Sequence, residues 1–239
     1  MKSLFIFIFN LIICNAYAFK FSPMSITINP TSGERSTVAY LENDSSSPIA
    51  IQITLTERLM DINGNETYPE ANEELQAYPS QMIIPPYEKK SVKITYTGKD
   101  IGEIEKAYRI ISEQLPIEVD KKVKKKTNVK ILLKYIAALY VENGKTEPSV
   151  KVNSWQIQNK EIEIKIKNDG NKHQVLTNLN IIFTKKGEKD ITIEPKDLKN
   201  ISGENVLAKT ERVFKIPLNS SLNKLDSKYT VELKFEKDN

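Results

Sequence analysis

Residues able to do chemistry are scarce in this sequence, and the scarcity excludes a good deal. Its 239 residues contain one His and one Cys, which removes most His- or Cys-based zinc sites, Cys–His nucleophile pairs and disulfide frameworks. His173 stands in Asn168-Asp169-Gly170-Asn171-Lys172-His173, a turn composition, and reads as a solvated turn histidine before a catalytic base. The eight Gly form no phosphate-cradling loop. Glu103, Glu105, Glu161 and Glu163 read as solvent-facing carboxylates, although a glycosidase pair meets in space and spacing alone does not remove it. A net charge of +4 is mild, and aromatic residues are not interleaved with the lysines, so nucleic acid is not the expected partner. No cofactor and no metal are expected, and the chain does not read as an enzyme.

The Cys belongs to a segment expected to be removed. Met1-Lys2-Ser3 opens with a positive charge, Leu4 to Cys14 is nearly unbroken apolar sequence, and Ala16-Tyr17-Ala18 has the small-x-small pattern of signal-peptidase cleavage. That apolar run is shorter than the roughly 20 residues needed to span a bilayer. A lipoprotein reading at Leu11-Ile12-Ile13-Cys14 places Ile13 where a small residue is wanted. The preferred reading is cleavage after Ala18, export of a soluble mature chain and no membrane insertion. Removing 18 of the 239 residues leaves 221 beginning at Phe19, and losing Lys2 lowers the charge from +4 to +3. A mature chain without Cys must be held together by packing alone.

The elements that position the remaining residues read as strands. Ile49, Ile51, Ile53 and Leu55 alternate with small or polar residues, and Ser91–Tyr96 and Glu161–Lys167 repeat that period of two. Ser36–Leu41, Tyr108–Leu115, Thr127–Val141, Val175–Thr184, Arg212–Ile216 and Tyr229–Phe235 complete the set, and only Asn72–Ala77 suggests a helical turn. Many short strands separated by turn residues make an all-β protein. The polar stretch Glu142–Pro148 marks a boundary between residues 19–142 and 143–239, each with enough strands for an immunoglobulin-like β-sandwich. No internal repeat is visible. Lys121–Lys126, with five lysines in six positions, reads as a solvated loop.

The most informative stretch is Thr127–Ile136. Val129, Ile131, Leu133 and Tyr135 fall on one face, and Lys130, Leu132, Lys134 and Ile136 on the other. Two readings stand: a central strand covered on both sides, or an edge strand whose apolar residues are lent to a partner. Exposed apolar edges invite aggregation, so one that is kept suits β-strand addition.

Several segments, in order, resemble the periplasmic chaperones of the chaperone–usher pilus pathway. They are Pro30–Arg35 leading into a strand that ends at Asn43, Ser47-Pro48 before the Ile49–Leu55 strand, and Tyr78–Pro86 followed by Lys90–Tyr96. Tyr108-Arg109, with Glu113 and Pro116 downstream, is similar to that family's Tyr-Arg-x-x-x-x-Glu-x-Pro signature, with one residue added between the Glu and Pro116 and one fewer before the Glu. The Lys-rich loop and alternating strand follow in family order, and Asn168–His173 resembles a turn of the second domain. The resemblance implies two immunoglobulin-like sandwiches in a boomerang. It implies pilus or fimbrial subunits and an outer-membrane usher as partners, and a strand that completes the subunit's fold. Val129, Ile131 and Leu133 would enter successive pockets, with Tyr135 next in line, each burial contributing roughly 1.5–3 kcal/mol before ordering costs.

One departure matters. The best-known branch holds the subunit's terminal carboxylate with two basic residues, and the matching positions here are Ile28 or Asn29 and Ala137. The sequence therefore looks more like the archaic or alternative branches. Arg109 is the substitute candidate, because a guanidinium grips a carboxylate bidentately; the competing reading pairs it locally with Glu113, and Lys134 is the next choice. Two other functions stay open from residues alone. One is a structural or adhesive exported sandwich protein. The other is a carbohydrate-binding module using Trp155 and the ten Tyr.

Overall fold

The computed structural model describes residues 19–71, 73–116, 131–219 and 222–235. The proposed leader, the Lys-rich loop and Val129 lie outside the described residues. In chain order the first eleven strands are β1 (Phe19–Ser22), β2 (Ser25–Ile28), β3 (Ser36–Asn43), β4 (Ile49–Glu57), β5 (Leu59–Met60), β6 (Glu66–Thr67), β7 (Leu75–Tyr78), β8 (Gln81–Ile84), β9 (Lys89–Tyr96), β10 (Lys106–Leu115) and β11 (Lys134–Val141). They form one sheet in the order β1-β3-β9-β7, a second in the order β2-β11-β10-β4-β8, and the small hairpin β5-β6. The two larger sheets pack face to face because each strand turns alternate side chains inward. Ile49, Ile51, Ile53 and Leu55 of β4 are buried, together with Leu41, Ile94, Ile110 and Leu139. Full burial of each contributes about 1.5–3 kcal/mol.

The remaining strands are β12 (Val150–Gln158), β13 (Glu161–Asn168), β14 (Gln174–Val175), β15 (Leu179–Thr184), β16 (Ile191–Ile193), β17 (Asn205–Val206), β18 (Glu211–Pro217) and β19 (Thr230–Phe235). They build the sheets β12-β13-β18 and β16-β15-β19 and the pair β14-β17. The alternation in β13 is as its sequence dictates, with Ile162, Ile164 and Ile166 buried in a core shared with Phe183 and Phe214. Trp155 meets Phe183 in an edge contact, with ring centroids 5.1 Å apart, and its half-buried indole packs against this core. The all-β architecture of two sandwiches follows. Among the described residues the only helical pieces are 3-10 turns at Pro30–Ser32 and Pro195–Asp197.

A buried Asn organises the end of one strand in each half. Asn43 Nδ2 donates to the carbonyls of Ser47, Ile84 and Pro85, and its Oδ1 accepts from Ser45 N. Asn168 Nδ2 donates to the carbonyls of Lys172 and Val206, and its Oδ1 accepts from Ser149 N and Gly170 N. Each satisfies backbone groups that a sheet leaves open at a corner.

Two sequence expectations change. The helical tendency at Asn72–Ala77 amounts to one turn in which Glu74 and Leu75 N–H groups meet the Ala71 carbonyl. Leu75 then enters the core and β7 pairs with β9, so sheet pairing overrides the local preference. The strand expected over Val175–Thr184 is broken, because Asn178 takes φ +50°, a left-handed conformation that Asn tolerates and a strand does not.

Candidate functional site: the interdomain cleft and the edge of β11

β10 and β11 pair antiparallel with Arg109 opposite Ala138, and alternation splits their side chains between two environments. Tyr108, Ile110, Ala137 and Leu139 face the first core. Arg109, Ala138 and Tyr140 face outward, where the second sandwich meets the first: Ala138 and Tyr140 are buried with Leu207, and Met60 and Ala107 pack beside them.

The β5-β6 hairpin closes this side. Its turn is Asp61-Ile62-Asn63-Gly64-Asn65, with Asp61 accepting from Asn63 N and Asn65 N and Gly64 at φ +88°. The hairpin reaches β18, where Val213 N donates to the Ile62 carbonyl at 2.8 Å. A Cβ on Gly64 would fall 2.0 Å from Arg212 Nη2 and displace that guanidinium, and the left-handed φ itself favours glycine. Arg212 itself donates to the Asn205 carbonyl at 2.8 Å and pairs with Glu204 at 3.0 Å.

Glu66, at the hairpin's return, receives two guanidinium groups. Arg109 holds it bidentately, Nε to Oε2 at 2.9 Å and Nη2 to Oε1 at 2.6 Å. Arg58 donates to Oε1 from Nε at 2.9 Å and from Nη2 at 2.7 Å. Burial raises the Glu66 carboxyl, but the hydrogen bonds and charges of Arg109 and Arg58 outweigh it, so the group is held below its ordinary range. Arg58 Nη1 also donates to the Tyr140 hydroxyl at 3.0 Å, and Asn205 Nδ2 donates to the same oxygen at 2.8 Å. Burial pushes the Tyr140 phenol up, so it stays protonated. A cavity of about 610 Å³ opens here, lined by Arg58, Glu66, Arg109, Tyr140, His173 and Asn205 among others. Its wall carries Arg58 and Arg109 against Glu66 and Glu204, so its formal charge is balanced, with both guanidinium groups gathered on Glu66.

His173 is not a solvated turn residue. Its ring stacks on Tyr140 with centroids 3.7 Å apart, and Nδ1 lies 2.7 Å from Glu105 Oε1, which also accepts from His173 N. Glu105, expected to face solvent, is buried in the same contact. Both readings changed for one reason: a turn that looks solvated in its own domain is covered by the other. Glu105 N donates to the Asn171 carbonyl and Lys172 pairs with Glu142 at 2.9 Å, extending the seam.

β11 also has an open edge. β2 pairs with it only from Ala138 to Val141. Among the described residues no strand lies against that side from Ile131 to Ala137. Gln114 N donates to the Leu133 carbonyl, and Ala138 N to Met24 O. The backbone groups of Lys134 and Ile136, out of step with Leu133 and in step with Ala138, therefore point away from β10 to the open side. Ile131 is 78% exposed and Leu132 44%. Leu133 and Tyr135 are half-buried against the first core, and the Tyr135 hydroxyl donates to the Phe19 carbonyl at 2.6 Å.

The sequence-derived candidates are thus split. Ile131, Leu133 and Tyr135 lie along the open edge, while Arg109 lies in the cleft with Glu66 as its partner. Glu113, the expected local partner, is 3.8 Å from Lys134, and both are about half exposed. Arg58, Glu66, Tyr140 and Arg212 were missed. The Asn63-Gly64 pair, a strong hairpin signal, was the clue that Arg58 and Glu66 return close to one another.

No protein-family model matches the sequence, and no curated protein matches it. Solved structures do. A chain of the CsuC–CsuE chaperone–tip adhesion subunit pre-assembly complex, from the archaic chaperone–usher Csu pili of Acinetobacter baumannii, superposes with a TM-score of 0.63 at 19% identity, over 92% of this chain and 100% of that one. The class 5 fimbriae chaperone CfaA gives 0.58 at 16% identity, over 92% and 100%. The structure of the Salmonella enterica SafA pilin with the SafB chaperone gives 0.55 at 13%, over 84% and 85%. The sequence is far from each, yet the chain has the two-domain β fold found among chaperone–usher pilus chaperones.

Proposed function

We propose that this chain is a non-enzymatic periplasmic chaperone that captures pilus or fimbrial subunits by lending them a strand and passes them to an outer-membrane usher. In this reading residues 1–18 are the cleaved leader, 19–142 the strand-lending domain and 143–239 the second sandwich. The observation that carries it is the edge of β11, whose Lys134–Ala137 segment has an unpaired side while Ile131 stands exposed beside it. Such an edge is costly to keep unless a partner covers it. A subunit groove would take the alternating row Val129, Ile131, Leu133 and Tyr135, with ladder bonds giving orientation and pockets giving selectivity. Among the described residues no helix is long and apolar enough to cross a membrane.

Arg109 is the proposed anchor for the subunit's terminal carboxylate, assisted by Arg58, with Lys134 at the edge as an auxiliary charge. Supporting this are the bidentate grip that Arg109 already shows on a carboxylate and the second guanidinium, Arg58, directed at the same point. The test is co-expression with pilus subunits from the same gene cluster. A chaperone raises the soluble yield of at least one subunit and co-purifies with it; an adhesive or structural protein leaves every subunit insoluble.

A further inference from the structure

We propose that Glu66 is a built-in competitor for the carboxylate anchor. It occupies the Arg58–Arg109 fork in the free chain and gives way when a partner's carboxylate arrives. This inference rests on the anchor reading above and adds a mechanism of regulation to it. Three independent features support it.

The first is the quality of the occupied site. Arg109 uses its Nε and Nη2 face on Glu66, and Arg58 directs the same two nitrogens at Oε1. An incoming carboxylate therefore meets a fork whose best side is taken, and a negative charge that repels it.

The second is the way Glu66 is mounted. The strands of the hairpin are joined by only two residue pairs, Leu59↔Thr67 and Met60↔Glu66, and its tip is held to the second sandwich by the Val213 N to Ile62 carbonyl bond. Its Leu59 and Ile62 side chains are largely exposed and Met60 is half-buried. An element with so little buried apolar surface is among the least costly parts of a fold to displace.

The third is a buried polar pair left incompletely satisfied. Tyr140 OH and the Asn205 amide are buried, line the cavity and lie 2.8 Å apart, with Arg58 donating to the same hydroxyl, and Asn205 Oδ1 has no partner among the described residues. Whichever way the amide is turned, one donor of the pair, the Tyr140 O–H or the Asn205 NH2, lacks an acceptor. A carboxylate in the cavity would accept from that donor and meet both guanidinium groups.

If Glu66 fills the fork at least nine-tenths of the time, apparent affinity for a carboxylate falls at least about tenfold, because only the vacant fraction binds. The probe is a ten-residue alternating Thr-Val peptide, made with a free carboxylate and as its terminal amide, titrated calorimetrically into the full mature chain. Wild type should prefer the carboxylate form. Glu66→Gln, which keeps the shape and removes the charge, should tighten that form at least about tenfold and leave the amide unchanged. A carboxylate preference in wild type with no gain in Glu66→Gln overturns the competitor while sparing the anchor. No carboxylate preference in either protein overturns the anchor itself. Should Glu66→Gln fail to fold, hydrogen exchange in wild type decides: amides of residues 59–67 should exchange faster with saturating carboxylate peptide, and unchanged exchange refutes the displacement.

Discussion

Ile131→Asp separates folding from capture at a single residue. The side chain is 78% exposed in the free chain, so the substitution removes almost no buried area and should change unfolding free energy by less than about 0.5 kcal/mol. In a subunit groove the same position would be enclosed. Losing the isoleucine forfeits about 1.5–3 kcal/mol of burial, and an unpaired aspartate in an apolar pocket costs at least about 2 kcal/mol more. Together these give about 4 kcal/mol, or a loss of affinity on the order of a thousandfold. Urea unfolding of the free protein and recovery of co-expressed subunit read the two effects separately. Leu133→Asp is the comparison: Leu133 already packs against the first core, so it should lose both stability and capture. Capture within about threefold of wild type for Ile131→Asp, or a destabilisation above about 1.5 kcal/mol, would refute the donor edge.

Further predictions concern the cleft and export. Glu66→Ala strands two largely buried guanidinium groups and should cost about 3–5 kcal/mol of stability, whereas Arg109→Ala leaves Arg58 on Glu66 and should cost about 1.5–3 kcal/mol; chemical denaturation of both reads the asymmetry. Because the folded Glu66 carboxyl is held below its ordinary range, its contribution is present above about pH 4.3 and is lost as pH falls through the lower folded value; Glu66→Gln should flatten the acid limb of the unfolding curve. Mass spectrometry of the periplasmic protein should find a chain starting at Phe19 without lipid, and an acylated Cys14 would end that reading.

The parts of the fold set by period two were readable from residues. Ile162, Ile164 and Ile166 could sit only on one buried face, and the outcome for β4 is the same. What escaped were residues whose environment comes from the other sandwich. Nothing near His173 in sequence announces the Tyr140 ring stacked on it, and nothing near Glu105 announces the His173 ring and N–H that bury it. Arg109 could be singled out by its motif, but strand parity does not say which face meets a second domain. Glu66, 43 residues earlier, becomes its partner only because the hairpin folds over β10. Local pattern reports on local faces; an interface joins faces that are remote in sequence.

The cleft and the edge are carried by one strand, and this couples them. Arg109 lies opposite Ala138, seven residues beyond Ile131, or about 23 Å along an extended chain. A partner strand anchored at Arg109 by its terminal carboxylate has its position along β11 fixed from that end. Side chains alternate with period two, so a shift of one residue turns every pocket-facing group to the wrong side, while a shift of two restores the face and moves each group by one pocket. Adding one residue to the terminus of a captured subunit should therefore weaken capture more than adding two. Soluble yields of the subunit with zero, one and two added residues test this in one experiment. A smooth decline with length would mean that the carboxylate does not set the register, and that the edge of β11 captures its partner without help from the cleft.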